Sequence, residues 1–152
     1  MIRHARYDDI PAIAILGELF HQQAQWGDIF EYSAADCATS LETFMGMDGF
    51  LCLVDEIPDR IARIVGMAAG IVSPVYFNFG HLSGEELFWW VSADAPHRSG
   101  IKLLDALEAA AKAKGCHSWQ MKSIARLNGD RMGRLYERRG YRASEHSFIK
   151  RL

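Results

Sequence analysis

The chain has 152 residues, of which 49% are hydrophobic and 24% charged, with a formal net charge of −2. Those proportions belong to an ordinary globular protein of one domain's length and exclude disordered and fibrous classes. A charge so near balance offers no overall attraction to nucleic acid or anionic lipid, although Arg126, Arg131, Arg134, Arg138, Arg139 and Arg142 crowd the C-terminal quarter.

In chain order, residues 2–6 read as a short strand. Asp8-Asp9 with Pro11 opens a helix whose Ile10, Ile13, Leu16 and Phe20 recur at helical spacing. An aromatic, irregular stretch from Trp26 leads to Ser33, an N-cap for a second helix carrying Cys37, Leu41, Phe44 and Met45 on one stripe. Residues 50–54 predict a compact strand, Ile57-Pro58-Asp59 a turn, and residues 61–72 a second strand marked by Gly66 and Gly70. Residues 73–83 read as a loop with Pro74, Tyr76, Phe77, Phe79 and His81. Residues 85–91 form a third, apolar strand suited to the middle of a covered sheet.

Ala93-Asp94-Ala95-Pro96 breaks that strand, and a helix over 101–114 follows, with Leu103, Leu104, Leu107 and Ala111 inward and Gly115 as its stop. A strand over 118–124, a helix over 130–139 ended by Gly140, and a final strand over 141–152 complete the chain. The expectation is one domain spanning residues 1–152.

Cys37, Cys52 and Cys116 are odd in number, form no CxxC and have no zinc-ligand spacing with histidine. No apolar run reaches the ~18 residues of a membrane span, and Met1-Ile2-Arg3-His4-Ala5-Arg6 lacks the apolar core of a signal peptide. A reduced, cytoplasmic, metal-free protein is expected.

Two strand-turn-helix units carry the chemical signal. His97-Arg98-Ser99-Gly100 opens a long helix, whose first turn presents unpaired N–H groups and a partial positive charge suited to phosphate. Gly100 permits close approach to the backbone, and Arg98 and Lys102 add cations. Alone, such a turn is equally an ordinary connection. The second unit is Leu135-Tyr136-Glu137-Arg138-Arg139-Gly140-Tyr141, with a tyrosine one turn from a glycine helix stop.

This second pattern resembles the LYERLGF segment of the GNAT superfamily of acetyl-CoA-dependent N-acetyltransferases. The stretch from Trp90-Val91-Ser92-Ala93 through Arg98-Ser99-Gly100 to Leu103-Leu104 is similar to that superfamily's cofactor-binding strand, loop and helix. The family loop reads Arg/Gln-x-x-Gly-x-Gly/Ala before the paired leucines, whereas Arg98-Ser99-Gly100-Ile101-Lys102 is about two residues shorter. The resemblance covers nearly the whole chain and implies an α/β (α+β) fold, with a mixed, mostly antiparallel sheet of about six strands flanked by about four helices. It further implies that Val91 and Ser92 meet the pantetheine arm of acetyl-CoA. Arg98, Ser99, Gly100, Ile101 and Lys102 would hold the pyrophosphate, and Tyr136 would lie near the thioester sulfur. Asn128 stands beside Gly129, where the family often has an asparagine seven residues before the tyrosine.

An attacking amine must be neutral, so a base is required, and Glu85 or Glu86 on the strand feeding this site is a candidate. Strand alternation sends the two to opposite faces. His81 in the preceding loop is a further candidate. Trp26, Phe30, Glu31, Tyr32, Tyr76 and Phe79 would suit an acceptor cleft for a cationic small-molecule or peptide amine, or equally a homodimer interface. The function expected is acetyl transfer from acetyl-CoA to a primary amine, with a non-catalytic acyl-CoA-binding or regulatory domain as the alternative. An unrelated phosphate-binding α/β domain would need a GxGxxG or GxxxxGK[ST] motif, which the chain lacks.

Overall fold

In a computed structural model of the chain, which describes residues 1–58, 63–127 and 129–152, one five-stranded sheet runs β1 (Ile2–His4), β2 (Phe50–Ile57), β3 (Arg63–Val75), β4 (Asn78–Val91) and β5 (Ser118–Gln120) in that spatial order. The first three pairings are antiparallel and β4–β5 is parallel. Asp59 of the expected turn and the expected start of the next strand at Ile61 lie outside the described residues, as does Asn128.

The helices form where apolar spacing and caps agree. Helix α1 (Ile10–Gln23) buries Ile10, Ile13, Leu16 and Phe20. Helix α2 (Ala34–Met45) begins at Ser33, whose hydroxyl accepts the Asp36 N–H at 3.2 Å. Both pack on one sheet face, against Cys52, Val54, Met67 and Ala69. On the other face, α3 (Ser99–Ala113) buries Leu103 and Leu107 against Leu51, Leu53 and Ala68. Helix α4 (Gly129–Arg138) meets α3 at its end: Arg139, just past it, bonds Asp105 at 2.5 Å and Glu108 at 3.2 Å.

Three expectations are corrected. The expected loop over 73–83 is a continued hairpin: β3 and β4 run on to Val75 and from Asn78, because valine, tyrosine and phenylalanine favour a pleated ribbon even beside Pro74 and Gly80. The strand expected over 118–124 stops at Gln120, since Lys122 turns its N–H to a side chain of β4. Residues 141–152 form no strand, which leaves five strands instead of six. That tail is mostly polar and its Phe148 and Leu152 are fully out in solvent, so it has no apolar face to bury on the sheet.

Candidate active site

Strand β4 is where the site is built. Its partner on β3 steps from Phe88 opposite Ala69 to Glu86 opposite Gly70, leaving Leu87 as an extra, unpaired residue. Cross-strand partners share a face. Phe88 therefore lies with Ala69 over α1, whereas Glu86 lies on the face where the Trp119 indole covers Gly70. A β-carbon on Gly70 or Gly84 would come within 2.4 Å of that indole, so both glycines are needed for Trp119 to lie flat. Glu85, opposite Ile71, points to the α1 side. The two glutamates thus occupy opposite faces, and the bulge decides which face each one takes.

β4 and β5 pair only over Ser83–Glu85 with Ser118–Gln120. Past that point the strands part, and Arg126 ties the departing segment to the end of α1. Its guanidinium donates to the Gln25 carbonyl at 2.7 Å and to both Asp28 oxygens at 3.0 and 2.9 Å.

At the fork, three side chains meet one residue, Lys122. Its N–H donates to Glu86 Oε2 at 3.0 Å, and its carbonyl accepts the Tyr136 hydroxyl at 3.0 Å. Its Nζ pairs with Glu85 at 3.0 Å. Glu86 is buried, and burial pushes its carboxyl up to about 7, against the moderating N–H and charge of Lys122. Burial, with the nearby Glu86 charge, also raises the Tyr136 phenol, so it remains protonated at neutral pH. Glu85 is half exposed.

Tyr136 is fixed by how α4 ends. Gly140 adopts a left-handed conformation with φ of 87°; its N–H bonds the Glu137 carbonyl at 3.0 Å, and the Tyr141 N–H reaches back to the Tyr136 carbonyl at 3.0 Å. This is a Schellman closure. It leaves the Tyr136 ring 6.4 Å from Trp89 and 5.6 Å from Tyr141.

The far end of the parted β4 runs into the turn before α3. Val91 closes the β3 pairing opposite Gly66, and the Ser92 hydroxyl donates to Asp94 at 2.6 Å. Arg98 caps α3 with φ of 67°, a left-handed backbone rare outside glycine. Its side chain and that of Lys102 are exposed and form no ion pair among the described residues. The Ser99 N–H is taken by the Pro96 carbonyl at 3.0 Å, and its buried hydroxyl donates to Asp55. Burial pushes Asp55 up, but bonds from the Met1 ammonium and Ser99 outweigh it and hold the carboxyl below its ordinary range. The Gly100 and Ile101 N–H groups have no acceptor among the described residues. Gly100 faces only ordinary contacts with Trp89 and Val91, and its carbonyl accepts the Trp89 indole N–H at 2.9 Å.

Glu85, Glu86 and Tyr136 are thus brought together at the fork, while Val91, Ser92, Arg98, Ser99, Gly100, Ile101 and Lys102 gather about five residues further along β4. At ~3.3 Å per residue the two groups lie roughly 16 Å apart. The proposed acceptor aromatics are not assembled. Trp26, Phe30 and Tyr32 cluster around His21 near the end of α1, which touches β4 at Trp90 through Gln23 at 2.6 Å, whereas Tyr76 and Phe79 lie at the opposite end of that strand. His81 stacks on His117 at 4.9 Å near the start of β4, away from Glu86. A groove of about 920 Å³ runs elsewhere, between β5, the second half of α3 and residues 139–145. Among the described residues no group of three histidine, cysteine, aspartate or glutamate side chains could hold a metal ion, and no helix is long and apolar enough to cross a membrane.

No protein-family model matches the chain, and no curated protein matches it in sequence. Solved structures do match in fold. An acetyltransferase from Trypanosoma brucei superposes with a TM-score of 0.74 at 20% identity, covering 100% of this chain and 99% of its own. A predicted acetyltransferase with acetyl-CoA from Clostridium acetobutylicum gives 0.74 at 13% identity, covering 99% and 94%. A GNAT family acetyltransferase from Staphylococcus aureus gives 0.65 at 17% identity, covering 100% and 98%. The chain has the fold of the GNAT acetyltransferases over its whole length.

Proposed function

We propose that the chain transfers an acetyl group from acetyl-CoA directly to a primary amine. The reading is carried by the meeting of Glu86 and Tyr136 on the Lys122 peptide at the fork between β4 and β5. It fits the left-handed turn before α3, where two N–H groups and the Arg98 and Lys102 cations can take phosphate oxygens while Gly100 leaves the approach open. Bound there, acetyl-CoA would supply an acetyl thioester as the electrophile.

Glu86, with its carboxyl raised to about 7, takes a proton from the incoming ammonium or from the attacking nitrogen. As the C–N bond forms and the C–S bond breaks, Tyr136 Oη, a phenol held protonated, gives its proton to the leaving sulfur. The Lys122 N–H keeps the Glu86 carboxylate in place, and its carbonyl orients the phenol beforehand. Glu85 neutralises the Lys122 ammonium on the far side.

Saturating acetyl-CoA, at about a hundred times its Kd, is expected to raise Tm by roughly 5–10 °C, and ATP to give no such shift. Absence of a shift with acetyl-CoA overturns the proposal. Tyr136→Phe is expected to keep that shift while slowing CoA release on an amine panel by about 10²-fold. Binding without CoA release from any amine in the wild-type chain would indicate a non-catalytic acyl-CoA-binding domain instead.

A further inference from the structure

Beyond Ile71 of β3 and Ser83 of β4 no other strand pairs with the β3–β4 hairpin among the described residues; Leu82 and His81 still bond His117 and Ser118, and past them the hairpin continues as a two-stranded arm. Its pairing is irregular at the end: Pro74 opposes Leu82 and Val75 opposes Asn78, so Phe79, Gly80 and His81 have no partner on β3. The tip exposes three large aromatic side chains, Tyr76 at 87%, Phe77 at 76% and Phe79 at 79%. An isolated ribbon of this kind is marginal in water, and contiguous exposed aromatics mark association surfaces.

We propose that this aromatic tip is a homotypic docking surface, which joins two copies of the chain about a two-fold axis. Fully covered, each aromatic removes ~150–250 Å² from water, so three per chain give roughly 900–1,500 Å² for a pair of tips, a range that straddles the lower bound of specific interfaces. The Tyr76 and Phe77 rings stand perpendicular, 4.9 Å apart at 86°. A right-angled pair presents one edge and one face, and a two-fold copy supplies the matching face and edge. Charge argues against the other occupants of an aromatic tip: no lysine or arginine occurs between Arg63 and Arg98, so the arm itself carries no such cation to attract anionic lipid or nucleic acid.

The proposal is independent of the acetyl-transfer reading and is tested without any ligand. In sedimentation velocity on the full chain across the micromolar range, the mass is expected to move from 17.1 kDa towards twice that value as concentration rises. The triple variant Tyr76→Ser, Phe77→Ser, Phe79→Ser is expected to stay monomeric with an unchanged circular dichroism spectrum. Phe77→Glu alone, which sets two carboxylates against each other at the contact, is expected to weaken the dimer at least about tenfold. The tail variant Phe148→Ser, Ile149→Ser is expected to dimerise as the wild type does. A wild-type chain that stays monomeric throughout, a triple variant that dimerises normally, or tip-dependent pelleting with phosphatidylserine-containing vesicles would each overturn the proposal.

Discussion

Glu86→Gln is expected to lower kcat by about two to four orders of magnitude while making the folded chain more stable in mildly alkaline solution. Both effects have one origin. Burial raises the Glu86 carboxyl from 4.5 to about 7, which corresponds to roughly 3 kcal/mol between the protonation states. A carboxyl raised on folding favours the folded state fully only below its unfolded value. That contribution is lost as pH climbs through about 7, because the buried group must then carry its charge. Glutamine keeps an oxygen for the Lys122 N–H and never ionises. Thermal melts from about pH 5 to about pH 9 should therefore show the variant and wild type close together in acid and the variant ahead in base, by about 1–3 kcal/mol. The wild-type kcat/KM should rise with pH through the same region. A variant that is less stable than wild type in base, or one that retains full turnover, contradicts the assignment of Glu86 as base.

Arg98 offers a second separation of stability from function. Its left-handed backbone costs a non-glycine residue about 1 kcal/mol or more, and an arginine there adds no packing in return. Arg98→Gly relieves that strain but gives part of it back through the freedom of glycine in the unfolded chain. The expected result is an unliganded Tm equal to or slightly above wild type, with acetyl-CoA binding weaker by about ten- to a hundredfold through loss of the guanidinium. Arg98→Ala should weaken binding to the same degree without the gain in stability. Titration calorimetry with acetyl-CoA checks both, and unchanged affinity in either variant removes Arg98 from the phosphate site.

Both residues stand out in the sequence as candidates, but for different reasons and to different depths. The helices were legible because apolar spacing, Ser33 and the stops at Gly115 and Gly140 are local signals. Tyr136 was legible for the same reason, since its position depends on a closure only six residues long, from Tyr136 to Tyr141. The arm was hidden because Pro74 and Gly80 read as punctuation when nothing shows that two strands face each other. Residues 141–152 read as a strand, yet pairing needs an apolar face to bury as well as a partner edge, and the mostly polar tail offers no such face. Asp55 and Lys122 went unnoticed for a deeper reason. Asp55 acts by holding Ser99, 44 residues away, and Lys122 acts mainly through its peptide, which has no sequence signature. Alternation separated Glu85 from Glu86 but left open which one is buried, because the extra residue at Leu87 leaves no mark in composition.

That bulge makes the site depend on strand register as much as on side chains. Were β4 to pair here without it, strict alternation through Leu87 would put Glu86 on the face of Phe88 above α1. The carboxyl would then lose the Lys122 peptide and Tyr136 together, although every polar group of the site would still be encoded. Deletion of Leu87 would instead set Glu86 directly beside Phe88 and keep it opposite Gly70. What holds the carboxyl on its face is therefore the pairing of Glu86 with Gly70, which no comparison of residue types reveals.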